Sequence, residues 1–240
     1  MPLNFLHSLV HRVEHGWDPI PRQYAEQYAK AAWSEERSVV LERMRSLVGD
    51  FNGKKILDLG GGAGQYSVPM AQLGAMVTWH DVSREYQRIA RRRAEEAGVP
   101  LQFSLGYLEA ADKLGPERFD AVFCRLCWYY CRSDRRFARL IFRLLRPGGA
   151  AYIECNTPAF DKRSGIRRLL YWLNNSVSWK IGHPLPPHGR IATLMQRYPL
   201  QKLVLDYSSE FTDVVMFVKG GDGASKLATP PNGKNTASTG

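Results

Sequence analysis

A short apolar segment that runs directly into a glycine-rich turn limits the folds open to this chain more than any other feature. Ile56 to Leu59 reads as a strand, and the turn from Asp58 to Gly64 has the spacing D-x-G-x-G-x-G. Glycines let the backbone turn sharply and approach a ligand, and a helix that follows offers unpaired N–H groups. A second strand ends in an acidic residue, Asp81. The pattern predicts a cradle for a nucleotide-type cofactor in a parallel α/β sheet.

Apolar runs that alternate with helix-length segments extend this prediction along the chain. Helices are expected at Gln65 to Leu73, Arg84 to Ala97 and Arg135 to Leu145, with glycine or proline after each. The fold class is α/β, with a Rossmann-like, seven-stranded, mostly parallel sheet and an antiparallel final hairpin. The seven predicted strands are Lys55 to Leu59, Met76 to His80, Leu101 to Leu105, Asp120 to Cys124, Ala150 to Glu154, Lys202 to Tyr207 and Asp213 to Val218.

The chain of 240 residues is long enough for one domain of ordinary size. We expect an N-terminal helical cap over residues 1–45 and the cofactor-binding domain over 46–219. A lid insertion is expected at about 156–200. Residues 220–240 are rich in Gly, Ser, Thr, Pro and Asn, which predicts a disordered tail.

Charge and cysteine content bear on the compartment and the partners. A net charge of +10 attracts polyanions and anionic lipid surfaces alike, and the arginine clusters are equally consistent with solvated helix faces. The four cysteines, together with the lack of a signal peptide or a long apolar span, favour a cytoplasmic protein.

The glycine-rich turn, Asp81 at the end of the second strand, the segment Phe119 to Phe123 and the sequence Leu144 to Gly149 together resemble the class I S-adenosylmethionine-dependent methyltransferases. The resemblance covers about residues 50 to 220. It implies that S-adenosylmethionine is the cofactor and that Asp81 holds both ribose hydroxyls, since a carboxylate accepts two hydrogen bonds at once. It places the methionine end of the cofactor at Asp58, Gly60, Gly61, Gly62 and Gly64.

The adenine end departs from that family's pattern. An Asp often follows Gly after the third strand in the family, whereas this chain has Gly106-Tyr107-Leu108-Glu109. We expect Tyr107 or Leu108 to flank the adenine ring, with Glu109 as an alternative hydrogen-bond acceptor. Tyr107 is also open to a purely structural role in the core.

A narrower set of motifs resembles the rhodoquinone biosynthesis proteins, a methyltransferase-derived bacterial family. The motifs are His15 to Pro19, Gly60 to Ser67, Thr78 to Ser83 and Cys127 to Cys131. The resemblance implies conversion of ubiquinone to rhodoquinone, in which an amino group replaces a ring methoxy. It also implies a requirement for S-adenosylmethionine, taken as the nitrogen source, and for a divalent metal such as manganese.

A lipid-tailed quinone requires an apolar entrance and a way to rest on a bilayer. Leu3 to Val13 has an apolar helical face, and Ile166 to Ile181 combines aromatic and basic residues. Either segment predicts peripheral contact with the inner membrane, or a lid packed on its own domain. Trp128, Tyr129 and Tyr130 follow the fourth strand, where ligands gather in this architecture, so we expect them to face the substrate.

Histidines are the candidate general bases. His80 lies beside Asp81, and His183 and His188 bound a proline-rich stretch. With Tyr129, these are the predicted catalytic residues. A metal site on the helical face of His7, His11 and His15, or at the cysteines Cys124, Cys127 and Cys131, lacks the expected further ligands, so the metal ligands are left open and buried thiols are favoured.

Other functions fit the same residues. The first alternative is O- or C-methylation of a quinone or small aromatic molecule. The second is an RNA methyltransferase, motivated by the basic charge. The segment after strand four lacks the signature of nucleobase amino methylation, so no nucleic-acid partner is expected. A non-catalytic binding protein that keeps the fold is a third possibility, and the oligomeric state is left open.

Overall fold

The computed structural model describes residues 10–158 and 182–221, together with 165, 169 and 180. Its centre is one seven-stranded sheet in the order β3-β2-β1-β4-β5-β7-β6. All pairs from β3 across to β5 are parallel, and β7 pairs antiparallel with β5 and β6. The strands are β1 (Lys55–Leu59), β2 (Met76–Asp81), β3 (Gln102–Leu105), β4 (Phe119–Arg125), β5 (Leu145–Asn156), β6 (Leu200–Ser209) and β7 (Thr212–Lys219).

Helices connect the strands and cover both faces of the sheet. They are α1 (Arg22–Ser34), α2 (Ser38–Val48), α3 (Ser67–Gln72), α4 (Arg84–Glu96), α5 (Asp134–Leu144) and α6 (Arg190–Met195). The hydroxyl of Ser83 accepts a hydrogen bond from the Tyr86 N–H at the start of α4, and Ser133 caps α5 in the same way. A serine at this position satisfies an N–H group that has no partner inside the helix.

Alternate residues of the central strands point to opposite faces, which gives two apolar layers. Leu57, Leu59 and Val122 belong to the layer that packs against α5 and α6. Ile56 and Ala121 belong to the other layer, which packs against α2 and α3. These two layers cover both faces of the sheet. Only the ends of the strands and the loops beside them are therefore open to ligands.

The predicted fold class, with a mostly parallel seven-stranded sheet and an antiparallel final hairpin, is confirmed. The three predicted helices lie within a few residues of their expected positions. The start of β5 was predicted wrongly. The expected turn Pro147-Gly148-Gly149 lies inside the strand, which already pairs at Leu145. The register shifts between Phe119 and Ala121, so a bulge absorbs these residues. A Cβ on Gly149 would lie 2.9 Å from the Arg146 carbonyl oxygen, so glycine is needed for this close approach.

The expected N-terminal cap, residues 1–45, contains α1 and most of α2, which ends at Val48. Small buried residues of α1, Ala25 and Ala29, pack in the same cluster as Ile89 and Ala90 of α4. The expected tail lies outside the described residues from position 222, as does most of the expected lid and residues 1–9 of the N-terminal amphipathic segment. The domain limits stay predictions. Within the described ranges, no helix is long and apolar enough to cross a membrane.

Candidate cofactor and substrate site

The glycine-rich turn lies between β1 and α3, at the carboxyl ends of the parallel strands. The N–H groups of Gly60 and Gly61 both donate to the His80 carbonyl oxygen of β2, at 2.8 and 3.2 Å. Trp79 Nε1 donates to the Gly62 carbonyl oxygen at 3.0 Å, and Trp33 Nε1 of α1 donates to that of Ala63 at 3.1 Å. The neighbouring strand and the N-terminal helix therefore hold the turn in place.

Two glycines of the turn are required for different reasons. Gly60 has φ 73°, in the left-handed region, and a Cβ there would lie 2.7 Å from Cys127 Cβ. Gly61 has an ordinary φ, but its Cβ would lie 2.3 Å from the Trp79 ring. The tight packing of Gly61 against a fully buried tryptophan explains glycine at this position without any ligand.

Asp58 and Asp81 bring two buried carboxylates to the turn. Ser67 Oγ donates to Asp58 Oδ2 at 2.6 Å, and the Gly62 and Ser83 N–H groups donate to Asp81 at 3.0 Å each. Burial raises the pKa of Asp58 to about 7 and that of Asp81 to about 6. In the described part of the chain neither carboxylate has a cationic partner, so a ligand that brings hydroxyl donors or positive charge fits here.

Side chains beside the turn keep unused hydrogen-bonding capacity. Gln65 Nε2 lies 3.2 Å from the Tyr28 hydroxyl of α1. The other amide atom, Gln65 Oε1, is buried and has no hydrogen-bond partner among the described residues, and the same is true of the Tyr66 hydroxyl. Buried polar atoms are normally paired. An acceptor beside the glycine turn fits the α-amino group of S-adenosylmethionine.

The predicted adenine end is formed where β3 ends. Leu108 is buried, and Tyr107 donates from its hydroxyl to the His11 carbonyl oxygen at 2.9 Å. The Tyr107 ring also stacks on Trp17, with centroids 6.2 Å apart. Glu109 was the alternative acceptor for the adenine. Its carboxylate instead accepts a hydrogen bond from the Arg132 N–H at 2.6 Å.

Asp18, in the H-G-W-D-P segment, joins the N-terminal region to the site. Its Oδ2 accepts from the Glu85 N–H at 3.0 Å and from Ser83 Oγ at 3.2 Å. Asp18 therefore helps to cap the start of α4, which follows Asp81 closely in the chain. The negative charge of Asp18 also contributes to the raised pKa of Asp81. From the sequence alone this segment is recognisable only as a family motif, which indicates no role for Asp18.

His80 is fully buried, and both of its ring nitrogens are engaged. Nδ1 lies 2.9 Å from Ser104 Oγ, and Nε2 lies 2.9 Å from the Tyr107 carbonyl oxygen. Burial also lowers the pKa of His80. This environment holds β2 and β3 together and leaves no ring nitrogen directed at a substrate, so we do not carry His80 forward as a base.

The aromatic residues after β4 divide into buried and exposed members. The expectation that Trp128 faces the substrate is wrong, because its ring is fully buried and Nε1 donates to Asp134 Oδ1 at 2.8 Å. Lys180 Nζ pairs with the same oxygen at 2.6 Å. A buried charge pair needs such additional hydrogen bonds, which explains why Trp128 turns inward.

Tyr129 and Tyr130 remain near the open end of the sheet. Their ring centroids are 4.4 Å apart. Tyr130 is half exposed and meets the exposed His183 ring edge-on at 4.9 Å. Tyr129 is partly buried against the core, and burial raises its pKa. Tyr130 and His183 therefore form an accessible aromatic surface beside the end of β4.

His188 is paired with an acid that the sequence analysis missed. His188 Nδ1 lies 2.5 Å from Oδ1 of Asp213, whose side chain is 1% exposed. The two atoms are in close contact without the geometry of an aligned hydrogen bond. The Gly189 N–H donates to Asp213 Oδ2 at 2.7 Å, and the Tyr207 ring packs on the imidazole with centroids 4.5 Å apart. Because β7 is antiparallel to β5, Asp213 lies at the same end of the sheet as the glycine turn.

The cysteines are buried free thiols, as favoured by the sequence. Cys124 Sγ and Cys127 Sγ lie 3.3 Å apart, and Cys127 Sγ also contacts the Leu59 carbonyl oxygen at 3.1 Å. No group of three or more His, Cys, Asp or Glu side chains in the described residues is arranged to hold a metal ion. His7 lies outside the described residues, so the structure does not describe the helical face that His7 shares with His11 and His15.

The geometry and the sequence comparisons agree on the class. The parallel sheet with its final hairpin, the glycine turn and Asp81 define the class I S-adenosylmethionine-dependent methyltransferase fold. Residues 56–149 match a family model described as a methyltransferase domain.

Solved structures support the fold at low sequence identity. A methyltransferase-like protein from Bacillus halodurans C-125 superposes with a TM-score of 0.59 at 13% identity, over 77% of this chain and 100% of that one. A structure from Galdieria sulphuraria, described as a sarcosine dimethylglycine methyltransferase, gives a TM-score of 0.58 at 10% identity, over 83% and 88%.

The names of relatives with similar sequences indicate a reaction class. The ubiquinone biosynthesis O-methyltransferase of Aeromonas salmonicida is 37% identical over 106 residues, which are 44% of each chain. The Xanthomonas oryzae enzyme of the same name is 35% identical over 114 residues, 46% of this chain and 47% of the relative. The chain therefore matches less than half the length of these relatives.

Proposed function

We propose that this chain is an S-adenosylmethionine-dependent enzyme that methylates an oxygen of a quinone-type aromatic substrate. The observation that carries the proposal is the glycine turn flanked by two buried carboxylates without cationic partners in the described chain. The matched methyltransferase domain and the ubiquinone-related names of the relatives support the same reaction class.

The residues that would hold the cofactor follow from the site. Asp81 would accept hydrogen bonds from the ribose diol, and Gln65 Oε1 would accept one from the α-amino group. Tyr107 and Leu108 would flank the adenine. Asp58 would add negative charge beneath the methionine end. When bound, S-adenosylmethionine supplies an electrophilic methyl group.

His188 would accept the proton of the substrate hydroxyl. Asp213 would hold the imidazole by Nδ1, which leaves Nε2 to act on the substrate, as in catalytic acid–histidine pairs. Such contacts are often poorly aligned before substrate binds. Tyr130 and His183 would pack against the substrate ring, since aromatic faces stack on planar rings.

The second candidate is the ubiquinone-to-rhodoquinone amino exchange, which uses the same substrate class. One observation favours this reaction. Trp17 and Asp18 belong to a motif that resembles the rhodoquinone biosynthesis proteins, and both contact the candidate site: Trp17 stacks on Tyr107 and Asp18 accepts from the Glu85 N–H. In that reaction a primary amine nitrogen forms a bond to the ring carbon that bears methoxy, and the carbon–oxygen bond to the methoxy group breaks. The methoxide leaves as methanol with the proton that the nitrogen loses, so that a ring amine remains. Manganese would assist by stabilising the charge that develops on the ring oxygens. Peripheral membrane contact would give either reaction access to a lipid-tailed substrate.

Product mass distinguishes the two reactions. The purified chain would be incubated with S-adenosylmethionine and either a polyprenyl catechol or ubiquinone, with and without manganese. The proposal predicts a catechol product heavier by one methylene unit and formation of S-adenosylhomocysteine. An aminoquinone from ubiquinone would establish the second candidate instead. Unchanged substrates in every reaction, with the protein folded, would reject both.

A further inference from the structure

Tyr28 of α1 borders the glycine-rich turn, although it is distant from the turn in the sequence. A Cβ on Gly62 would lie 3.5 Å from Tyr28 Cε1, so the edge of the ring reaches this residue of the turn. The Tyr28 hydroxyl oxygen accepts from Gln65 Nε2 at 3.2 Å. The ring also packs on Tyr86 of α4, with centroids 5.1 Å apart. Helix α1 therefore contributes a side chain to the candidate cofactor site.

The covalent structure of S-adenosylmethionine indicates which part of it would meet this ring. Its positively charged sulfur is bonded to both the ribose and the methionine chain. In the proposed function Asp81 accepts from the ribose, and Gln65 accepts from the α-amino group of the methionine chain. Burial raises the pKa of Tyr28 to about 12, and the charge of nearby Asp81 also raises it. Tyr28 is thus close to both acceptors, and the sulfonium is the part of the cofactor that lies between them.

Other tyrosine rings of the site already have a cation over them. The guanidinium carbon of Arg125 lies 5.3 Å from the centroid of the Tyr66 ring, and that of Arg132 lies 5.5 Å from the centroid of the Tyr107 ring. Among the residues that the structure describes, no arginine or lysine lies over the ring of Tyr28. Its side chain is 37% exposed, which leaves part of the ring open to a ligand.

We propose that the Tyr28 ring recognises the positive charge of the sulfonium, so that the site favours S-adenosylmethionine over S-adenosylhomocysteine. The inference rests on the proposed function. The face of an aromatic ring carries partial negative charge and attracts cations. When the methyl group is transferred, the sulfur keeps the electron pair of the broken bond and becomes a neutral thioether. The attraction to Tyr28 is then lost, which favours exchange of the product for a new cofactor molecule.

The Tyr28 hydroxyl has a separate, positioning role. It engages Nε2 of the Gln65 amide, so the amide is held with Oε1 left to accept from the α-amino group. That hydrogen bond forms with either cofactor, because S-adenosylmethionine and S-adenosylhomocysteine have the same amino group. The ring therefore affects the choice between the two molecules, whereas the hydroxyl affects the binding of both.

The test measures the ratio of the two affinities in three variants. Tyr28→Leu removes the ring, and Tyr28→Phe keeps the ring and removes only the hydroxyl. Tyr24→Leu is the matched control, because Tyr24 lies one helical turn earlier on α1 and is 54% exposed. Wild type and variants would be titrated by calorimetry with S-adenosylmethionine and, separately, with S-adenosylhomocysteine. No methyl acceptor would be present, so the readout is binding and not activity.

Tyr28→Leu should lose more affinity for S-adenosylmethionine than for S-adenosylhomocysteine, so that the ratio falls at least about threefold. Tyr28→Phe should bind both molecules more weakly and keep the wild-type ratio, and Tyr24→Leu should keep the ratio as well. If Tyr28→Leu does not fold, pentafluorophenylalanine in place of Tyr28 keeps the ring shape and removes its negative face. The same fall in the ratio is then expected relative to Tyr28→Phe.

The outcomes separate this inference from the proposed function. An unchanged ratio in folded Tyr28→Leu, or an equal fall in Tyr24→Leu, would overturn the role of the ring and leave the proposed function standing. Folded wild-type protein that binds neither molecule would overturn both.

Discussion

At the scale of single residues, Gly61 shows how tightly the cofactor turn is built. Its substitution by alanine would place a Cβ 2.3 Å from Trp79, and overpacking of this kind costs about 1–3 kcal/mol. We expect Gly61→Ala to lower the free energy of unfolding by that amount and to weaken binding of S-adenosylhomocysteine. Denaturant unfolding and calorimetry would measure both.

A double-mutant cycle tests whether the clash with Trp79 is what lowers the free energy of unfolding in Gly61→Ala. Trp79→Val removes the ring, so Gly61→Ala should cost much less in that background than in the wild type. The same cost in both backgrounds would show that the Trp79 contact is not the reason for glycine at this position.

Asp81 should make cofactor binding depend on pH. Its pKa is raised to about 6 in the folded protein, so the carboxylate is protonated below that pH and accepts hydrogen bonds from a diol less well. Affinity for S-adenosylhomocysteine should therefore fall as the pH drops through about 6. Calorimetry at several pH values would test this, and Asp81→Asn should lose that part of the dependence. An identical pH profile in this variant would assign the dependence to another group, such as Asp58.

His188 and Asp213 should affect turnover more than binding. Removal of a general base costs about 10²–10⁴-fold in rate. We expect His188→Gln to lower kcat within that range with little change in KM. Asp213→Asn should lower kcat less and displace the pH profile of kcat, since Asp213 acts through the imidazole. Unchanged kcat in His188→Gln would exclude it as the base.

At the scale of elements, Asp18 connects the N-terminal segment to α4. Loss of a helix-capping side chain costs about 1 kcal/mol. Asp18→Ala should reduce the free energy of unfolding by about this amount, and Asp18→Asn should largely keep it because the amide oxygen still accepts from the Glu85 N–H. Chemical denaturation of the three proteins would measure the difference. Equal stability of Asp18→Ala and wild type would contradict the capping role.

The elements also show which parts of the fold the sequence could predict. Strand periodicity and the glycine turn predicted all seven strands, because each local pattern agrees with the global sheet. The start of β5 was missed, since Pro147 and Gly148 signal a turn locally and the bulge exists only through pairing with β4. Trp128 was misplaced for a similar reason: its partners Asp134 and Lys180 are brought together only by the fold.

Some residues of the candidate site were likewise predictable from local sequence, and others were not. Asp58 and Asp81 were predictable because a fixed motif spacing sets their positions. Asp213 was not, since its role depends on an antiparallel strand that returns to the open end of the sheet beside His188. Local sequence around Asp213 has no signal for an acid–histidine pair.

At the scale of the whole molecule, both proposed reactions require that S-adenosylmethionine binds at the end of the sheet that carries the glycine turn. The most direct measurement is a calorimetric titration with S-adenosylhomocysteine. Asp81→Ala would be compared with Asp206→Ala, which removes a surface acid of β6 that pairs with Arg43.

We expect wild type and Asp206→Ala to bind one molecule of S-adenosylhomocysteine per chain with similar affinity. Asp81→Ala should bind at least about tenfold more weakly, since the ribose diol loses its acceptor. No binding to folded wild-type protein, or equal binding by Asp81→Ala, would contradict the claim.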